Sequence, residues 1–322
     1  MKRIFLFLVA ISLLVACSGG ESNTETSTNT APKPKAPERQ GWGESFMPTL
    51  YGDVKEITIS EYELLDKFGK EVKGNSEGQK VYKFNKRGDV IEKANYNSNG
   101  KLHEKTIYRY NSKGDKIENA EYDSNRELKE KTIYKYDSNG NQIEEAKYNS
   151  NGELKEKIIY KYDSDGNQIE EAYFNEKGGL YSDFIYKYDS EGNQIEEDWY
   201  WDGKLLEKYT YKYDSEGNQI EMACFNENRG LFKKYTYKYD SEGNQIEEAC
   251  YDEDGVLNLK YIYKYDSNGN QIEKAYYDEK GGLNLKYIYK YDSNNNLIEE
   301  KSYWSAIMIP RELTEYKIVY RK

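Results

Sequence analysis

The chain has one histidine, three cysteines and nine phenylalanines in 322 residues. A lone histidine excludes the multi-histidine metal sites and leaves little acid–base chemistry near neutral pH. His103 stands in Lys-Leu-His-Glu-Lys, in a slot that other units fill with lysine or another surface residue, and reads as an exposed strand position. No nucleophile elbow, zinc signature or phosphate loop occurs. Pairs such as Glu144-Glu145 recur, but adjacent strand residues point to opposite faces and make no acid–base dyad. Asp137-Ser138-Asn139-Gly140-Asn141 resembles a calcium loop only in part, since its glycine is fourth and its twelfth position is Tyr148. The expectation is a protein that is not an enzyme, with no cofactor and no metal.

Cysteine is too scarce for a disulfide framework. Cys224 and Cys250 occupy the same slot of two neighbouring units, Ile-Glu-Met-Ala-Cys-Phe and Ile-Glu-Glu-Ala-Cys-Tyr. Two strands apart means roughly 9.5 Å, and a disulfide needs Cα atoms within about 7 Å. Two free thiols are expected.

Long apolar runs are missing after residue 16. Before it, Lys2 and Arg3 precede the run Ile4 to Ala16, which is too short to span a bilayer and suits a signal peptide. The run ends in Leu14-Val15-Ala16-Cys17, which resembles the lipobox of bacterial lipoproteins. The resemblance implies a signal peptide over 1–16 and a lipidated Cys17 as membrane anchor. Residues 17–48 follow as a Ser-, Thr-, Asn- and Pro-rich tether, too poor in large apolar groups to fold. This places the protein in a bacterial cell envelope, lipid-anchored to the outer membrane. The formal charge is −11, and removal of Lys2 and Arg3 takes it to −13, which argues against nucleic acid as a partner.

What the chain has in excess is tyrosine, with 35 residues, and self-similarity. A phrase of the form Tyr-Lys-Tyr-Asp-Ser-Asn-Gly-Asn-Gln-Ile-Glu starts at Tyr82, Tyr108, Tyr134, Tyr160, Tyr186, Tyr211, Tyr237, Tyr263 and Tyr289. The step is 26 residues, except for 25 between Tyr186 and Tyr211. A fixed period of this length means a stacked array. Each unit holds two turn signals, such as Asp137–Gly140 and Asn149–Gly152, with Asp or Asn first and Gly fourth. These are type I turns closed by a left-handed glycine. The stretches between them are Tyr-, Ile- and Thr-rich and strand-length.

The expected fold is therefore all-β, an antiparallel hairpin meander forming a twisted or curled single sheet, with two strands per unit over 82–301. Residues 49–81 form an N-terminal cap hairpin and 302–322 a C-terminal cap. Counting outward from the second turn pairs Tyr148 with Leu154, Ala146 with Glu156, Glu144 with Ile158 and Gln142 with Tyr160. That puts these residues on one Tyr-rich face and leaves a Lys/Glu lattice with an Ile stripe on the other. In the short unit, Asp202-Gly203 suits a two-residue type I′ loop that keeps Tyr200 opposite Leu205. Arg126 and Arg229 stand where glycine is wanted, so strain or a different turn is expected there.

At Tyr-x-Tyr-Asp-x-x-Gly-Asn, from about Tyr82 to Tyr303, the chain resembles the YD (RHS-type) repeats of bacterial surface and toxin-associated proteins. In large members of that family the repeats form a β-ribbon that curls into a shell around a cargo. Nine units are far fewer than a shell needs, no self-cleaving core or toxin domain is recognisable, and Asn follows the glycine where the family usually has Arg. Encapsulation is not carried over. The Lys/Glu-rich meander is also similar in pattern to the single-layer sheet of spirochaete outer-surface lipoproteins.

The tyrosine face is the expected ligand surface, for glycan or protein, with Trp199, Tyr200 and Trp201 as the contact patch. A spacer lipoprotein without a ligand, and an accessory protein to a toxin, are the alternatives.

Overall fold

The computed structural model describes residues 49–228 and 230–321. Each 26-residue phrase folds as its turns dictate. Asp137 accepts the backbone N–H of Asn139 and Asn141 on Oδ1, both at 2.9 Å, and the Asn141 side chain donates to its Oδ2 at 3.0 Å. Gly140 takes φ +93°, a backbone state that a side chain would oppose. The second turn repeats the device on Asn149, whose Oδ1 accepts from Asn151 and Glu153 at 3.0 Å. Asp202 and Gly203 both have positive φ and Tyr200 pairs with Leu205, as the type I′ reading requires. Arg126 has φ +70° and still donates its N–H to the Asp123 carbonyl, so it keeps the glycine turn and bears the strain. Arg229 lies outside the described residues.

Strands alternate with these turns. Among the described residues there are 20, from β1 (Val54–Lys67) and β2 (Lys70–Phe84) to β19 (Leu297–Trp304) and β20 (Ile309–Tyr320). Each pairs antiparallel with the next in chain order. The curled single sheet with an open edge at each end is not what forms. Strand β20 also pairs with β1, from Val54 opposite Tyr320 to Glu63 opposite Glu312, and the meander closes into a barrel. The two end segments are thus strands of the wall bonded to each other, and closure removes both free edges. At about 4.8 Å per strand, 20 strands give a perimeter of roughly 95 Å.

Register corrects the sequence reading. In β7 (Gln142–Asn149) and β8 (Leu154–Tyr162), Tyr148 does face Leu154. A bulge follows at once, and Lys147 faces Glu156, Ala146 faces Lys157, Glu145 faces Ile158 and Glu144 faces Ile159. The left-handed glycine turn carries a bulge that inserts one residue on one strand, and a one-residue step exchanges the faces. On the β8 side the register from Glu144 opposite Ile159 leads to Ile143, not Gln142, opposite Tyr160, while on its other side Gln142 faces Tyr136. Glu144, Ala146 and Tyr148 therefore do not share a face with Ile158 and Tyr160.

The true faces are distinct. One carries Tyr134, Glu145, Lys147, Glu156, Ile158 and Tyr160, and Tyr134 on it is 8% exposed. The other carries Lys135 paired to Glu144 at 2.7 Å, with Lys135 61% exposed. The same pair recurs as Lys187–Glu196, Lys212–Glu221, Lys238–Glu247 and Lys264–Glu273. A closed sheet shades its concave side, so the tyrosine face lines the barrel and the Lys/Glu lattice faces outward. Small alanines, such as Ala146 and Ala249, are buried on the outer face under the long side chains around them.

The barrel's seam is built differently. Leu50, Val54, Ile57, Ile59, Tyr82 and Phe84 form a buried cluster, with Ile57 at 0% exposure. The Arg321 guanidinium clasps the rim beside it, donating to the Asp53 carboxylate at 2.7 Å and to the carbonyls of Val54, Phe84 and Asn85. Buried Asn296 adds a second clasp, accepting from the Tyr51 N–H and donating to the Tyr51 carbonyl and Tyr320 hydroxyl.

Candidate functional site

The first tyrosine of each phrase builds the inner wall. Tyr134, Tyr160, Tyr186, Tyr211, Tyr237, Tyr263 and Tyr289 face, in order, Glu145, Glu171, Glu197, Met222, Glu248, Lys274 and Glu300. The second tyrosine fastens the base of the hairpin behind it. Tyr136 donates its hydroxyl to the Lys116 carbonyl at 2.8 Å, Tyr162 to Gln142 at 2.8 Å, and Tyr188 to Gln168 at 2.7 Å. The short unit keeps the tie, from Tyr213 to Gln194.

Trp199, Tyr200 and Trp201 do not form one patch. They end β11 (Gln194–Trp201), where Trp199 faces Phe184 and Trp201 faces Ser182 of β10 (Leu180–Tyr188), both on the tyrosine face. Tyr200 faces Asp183 on the opposite side. The tryptophans instead join residues of β9 (Gln168–Asn175) and β10. Trp199 stacks on Phe184 at 5.7 Å between centroids, 5° from parallel. Tyr173 meets Phe184 at 6.0 Å and Tyr181 at 6.2 Å, and Tyr181 meets Trp201 at 5.4 Å with the ring planes 72° apart. Such pairs are favourable geometries for aromatic rings. Ser182 fixes the arrangement, because its hydroxyl accepts from the Trp199 indole at 2.9 Å and donates to the Tyr200 carbonyl at 3.1 Å. Trp201 remains 45% exposed at the rim.

Carboxylates border the cluster. Glu156 accepts from the Tyr181 hydroxyl. Glu171 accepts from Tyr173 at 2.5 Å and Tyr186 at 3.2 Å. Glu197, only 7% exposed, accepts from Tyr211 at 3.0 Å and from Gln194 at 3.1 Å. Burial pushes the Glu197 carboxyl above the usual range, against the lowering effect of those two bonds.

Tyr173, Tyr181 and Phe184 were missed by sequence reasoning, although the signal was present. Aligned by period, Tyr173 and Trp199 replace Lys147, Tyr181 replaces Lys155 and Phe184 replaces Ile158. Comparison with the preceding unit picks out this sector, which puts aromatic residues where Lys147 and Lys155 stand one period earlier.

His103 is exposed in its strand. Cys224 and Cys250 are buried free thiols, and burial raises the Cys224 thiol to about 12. Cys17 lies outside the described residues. No helix among the described residues is long and apolar enough to cross a membrane, which says nothing of strands.

No protein-family model matches the chain, and no curated protein matches it. Solved structures do resemble it weakly. A crystal structure of TcdB2-TccC3-Cdc42 aligns at 15% identity and a TM-score of 0.36, covering 84% of this chain. The chain spans only 17% of that protein's length. A porin-like protein from Bacteroides uniformis aligns at 11% identity and a TM-score of 0.38, covering 83% of this chain and 98% of its own. A protein of unknown function from Bacteroides fragilis covers 42% of this chain at 20% identity and a TM-score of 0.23.

Proposed function

We propose that the protein is a non-catalytic, lipid-anchored envelope protein whose β-repeat barrel serves as a glycan-binding module. The observation that carries this reading is the ring cluster of β9 to β11, with Trp201 exposed at the rim and the Tyr181 ring at 72° to it. Aromatic faces stack on the C–H faces of sugars, and bordering carboxylates can accept sugar hydroxyls. The anchor is Cys17, attached through the 17–48 tether to the outer membrane.

The test is a glycan array probed with the full chain, repeated with Trp201→Ala. Selective retention that is lost in the variant, with an unchanged far-UV spectrum, supports the reading. No retention on any glycan, or retention indifferent to Trp201, sinks it. Mass spectrometry of the envelope-purified protein should find an acylated Cys17. An unmodified Cys17 ends the anchoring proposal.

The wall itself favours a second reading, a spacer with no ligand. Its outer face repeats one Lys–Glu pair from unit to unit. A spacer tolerates removal of one 26-residue unit, such as 134–159, which takes out two strands without a register change. A deletion that preserves folding and cellular phenotype favours the spacer.

A further inference from the structure

The inner face treats its tyrosines in two ways. In parts of the wall the chain supplies its own cations to them. Lys116 Nζ lies 4.3 Å from the Tyr134 ring centroid, and Lys274 Nζ lies 4.7 Å from that of Tyr261 and 5.7 Å from that of Tyr263. Lys147 pairs with Glu130 at 2.6 Å. In the β9 to β11 sector the positions that Lys147 and Lys155 hold in the preceding unit are filled by Tyr173, Trp199 and Tyr181, while carboxylates remain. Among the described residues, no lysine or arginine lies over a ring of Tyr173, Tyr181, Phe184, Trp199 or Trp201. Glu156, Glu171 and Glu197 likewise have hydroxyl and amide partners but take part in no ion pair, since Lys147, which stands opposite Glu156, is engaged by Glu130.

Ring faces and carboxylates without a cation complement a ligand that brings one. On the glycan-binding reading, we infer that the sector takes a glycan bearing free amino groups, of the 2-amino-2-deoxyhexose class. Such a sugar offers an apolar ring face to Trp201 and carries its ammonium directly on the ring carbon. Tyr181 links the two halves of the site, since its ring touches Trp201 and its hydroxyl bonds Glu156. A ring stacked on Trp201 therefore brings its ammonium toward Glu156. An N-acetylated sugar keeps the apolar face but loses the charge. The outer Lys/Glu lattice, whose carboxylates already hold lysines, offers an amine no comparable place.

The experiment titrates the full chain with a glucosamine oligomer and with its fully N-acetylated counterpart, read by tryptophan fluorescence and calorimetry. The glucosamine oligomer should bind more tightly, and added salt should weaken it, because the gain is electrostatic. Glu156→Gln retains an acceptor for Tyr181, so it should fold. Loss of one charge contact of roughly 1.4 kcal/mol would weaken glucosamine binding about tenfold, with the acetylated oligomer unaffected. Trp201→Ala should weaken both. Equal binding of the two oligomers, or indifference of glucosamine binding to Glu156→Gln, overturns the amino-sugar inference and leaves the glycan reading intact. Binding of neither oligomer while another glycan is retained on the array does the same. Failure with every glycan removes both.

Discussion

The seam and the repeat wall belong to one closed sheet but are held by different forces. At the seam, Val54, Ile57, Ile59 and Phe84 form an aliphatic and aromatic cluster from which water is excluded. The wall has little of this. Its buried side chains are mainly alanines shaded by neighbours, the thiols of Cys224 and Cys250, and polar or phenolic groups such as Tyr211, whose hydroxyl reaches Glu197. Each unit of the wall satisfies itself and the hairpin behind it, so the array can be lengthened by repetition. The seam joins residues as far as 268 positions apart, as in the Arg321–Asp53 pair, and no repeated phrase can supply that. Local hydrogen bonding builds the ladder, and the hydrophobic effect closes it.

Alkali should separate the two most sharply. Burial, aided by nearby carboxylates, raises Tyr136, Tyr188 and Tyr291 to about 12, and burial pushes Tyr134, Tyr160 and Tyr186 higher still. In the unfolded chain tyrosine ionises near 10. A raised acid binds its proton more tightly when folded, so its contribution is whole below about pH 10 and is lost as pH rises toward the folded value. With so many tyrosines in the wall, the sum is large. Absorbance of phenolate near 295 nm should rise late and in one cooperative step, together with loss of sheet signal. A gradual rise centred near 10, with the sheet intact, would mean the tyrosines are wet.

Ile57→Ala strikes the seam. Removing a fully buried isoleucine costs about 2–5 kcal/mol. The wall's turns and ties stay intact, so the expected outcome is early loss of hydrogen-exchange protection in β1, β2 and β20 while the middle units remain protected. Uniform loss across the sheet would show that wall and seam unfold as one unit. Tyr162→Phe strikes the wall more gently. It removes one hydroxyl donated to the Gln142 carbonyl and should cost about 1 kcal/mol, visible in the denaturation midpoint with an unchanged slope.

The contrast also explains what could be read from the sequence. Turns were legible because their chemistry is local: Asp137, Gly140 and Asn141 fix each other within five residues. The type I′ loop at Asp202-Gly203 was legible for the same reason. Face assignment failed at Lys155, where one bulged residue exchanged the two sides between Tyr148 and Ile158. Closure was not legible, because the phrase contains no information about the ends. Ile57, Phe84 and Arg321 signal closure only once they stand side by side. In the candidate site, Trp199 and Trp201 were visible as departures from the repeat. Tyr200 was grouped with them by adjacency, although adjacent strand residues point to opposite faces.

The smallest expected effect is the most specific to the wall's logic. Arg126 stands in a glycine slot at φ +70°, in the same turn that Gly152 makes at φ +81° one unit later. Its N–H donates to the Asp123 carbonyl and Asp123 Oδ1 accepts from Asn125 and Glu127, so every bond of the turn is already formed. Arg126→Gly adds no contact and relieves only the left-handed backbone, by about 1 kcal/mol. Part of that gain is returned, because glycine loses more freedom on folding. A small rise in melting temperature is expected, with hydrogen-exchange protection gained in the 116–136 hairpin and nowhere near the seam. A fall would show that the arginine side chain contributes more than its backbone costs, and that the turns of the wall are not interchangeable.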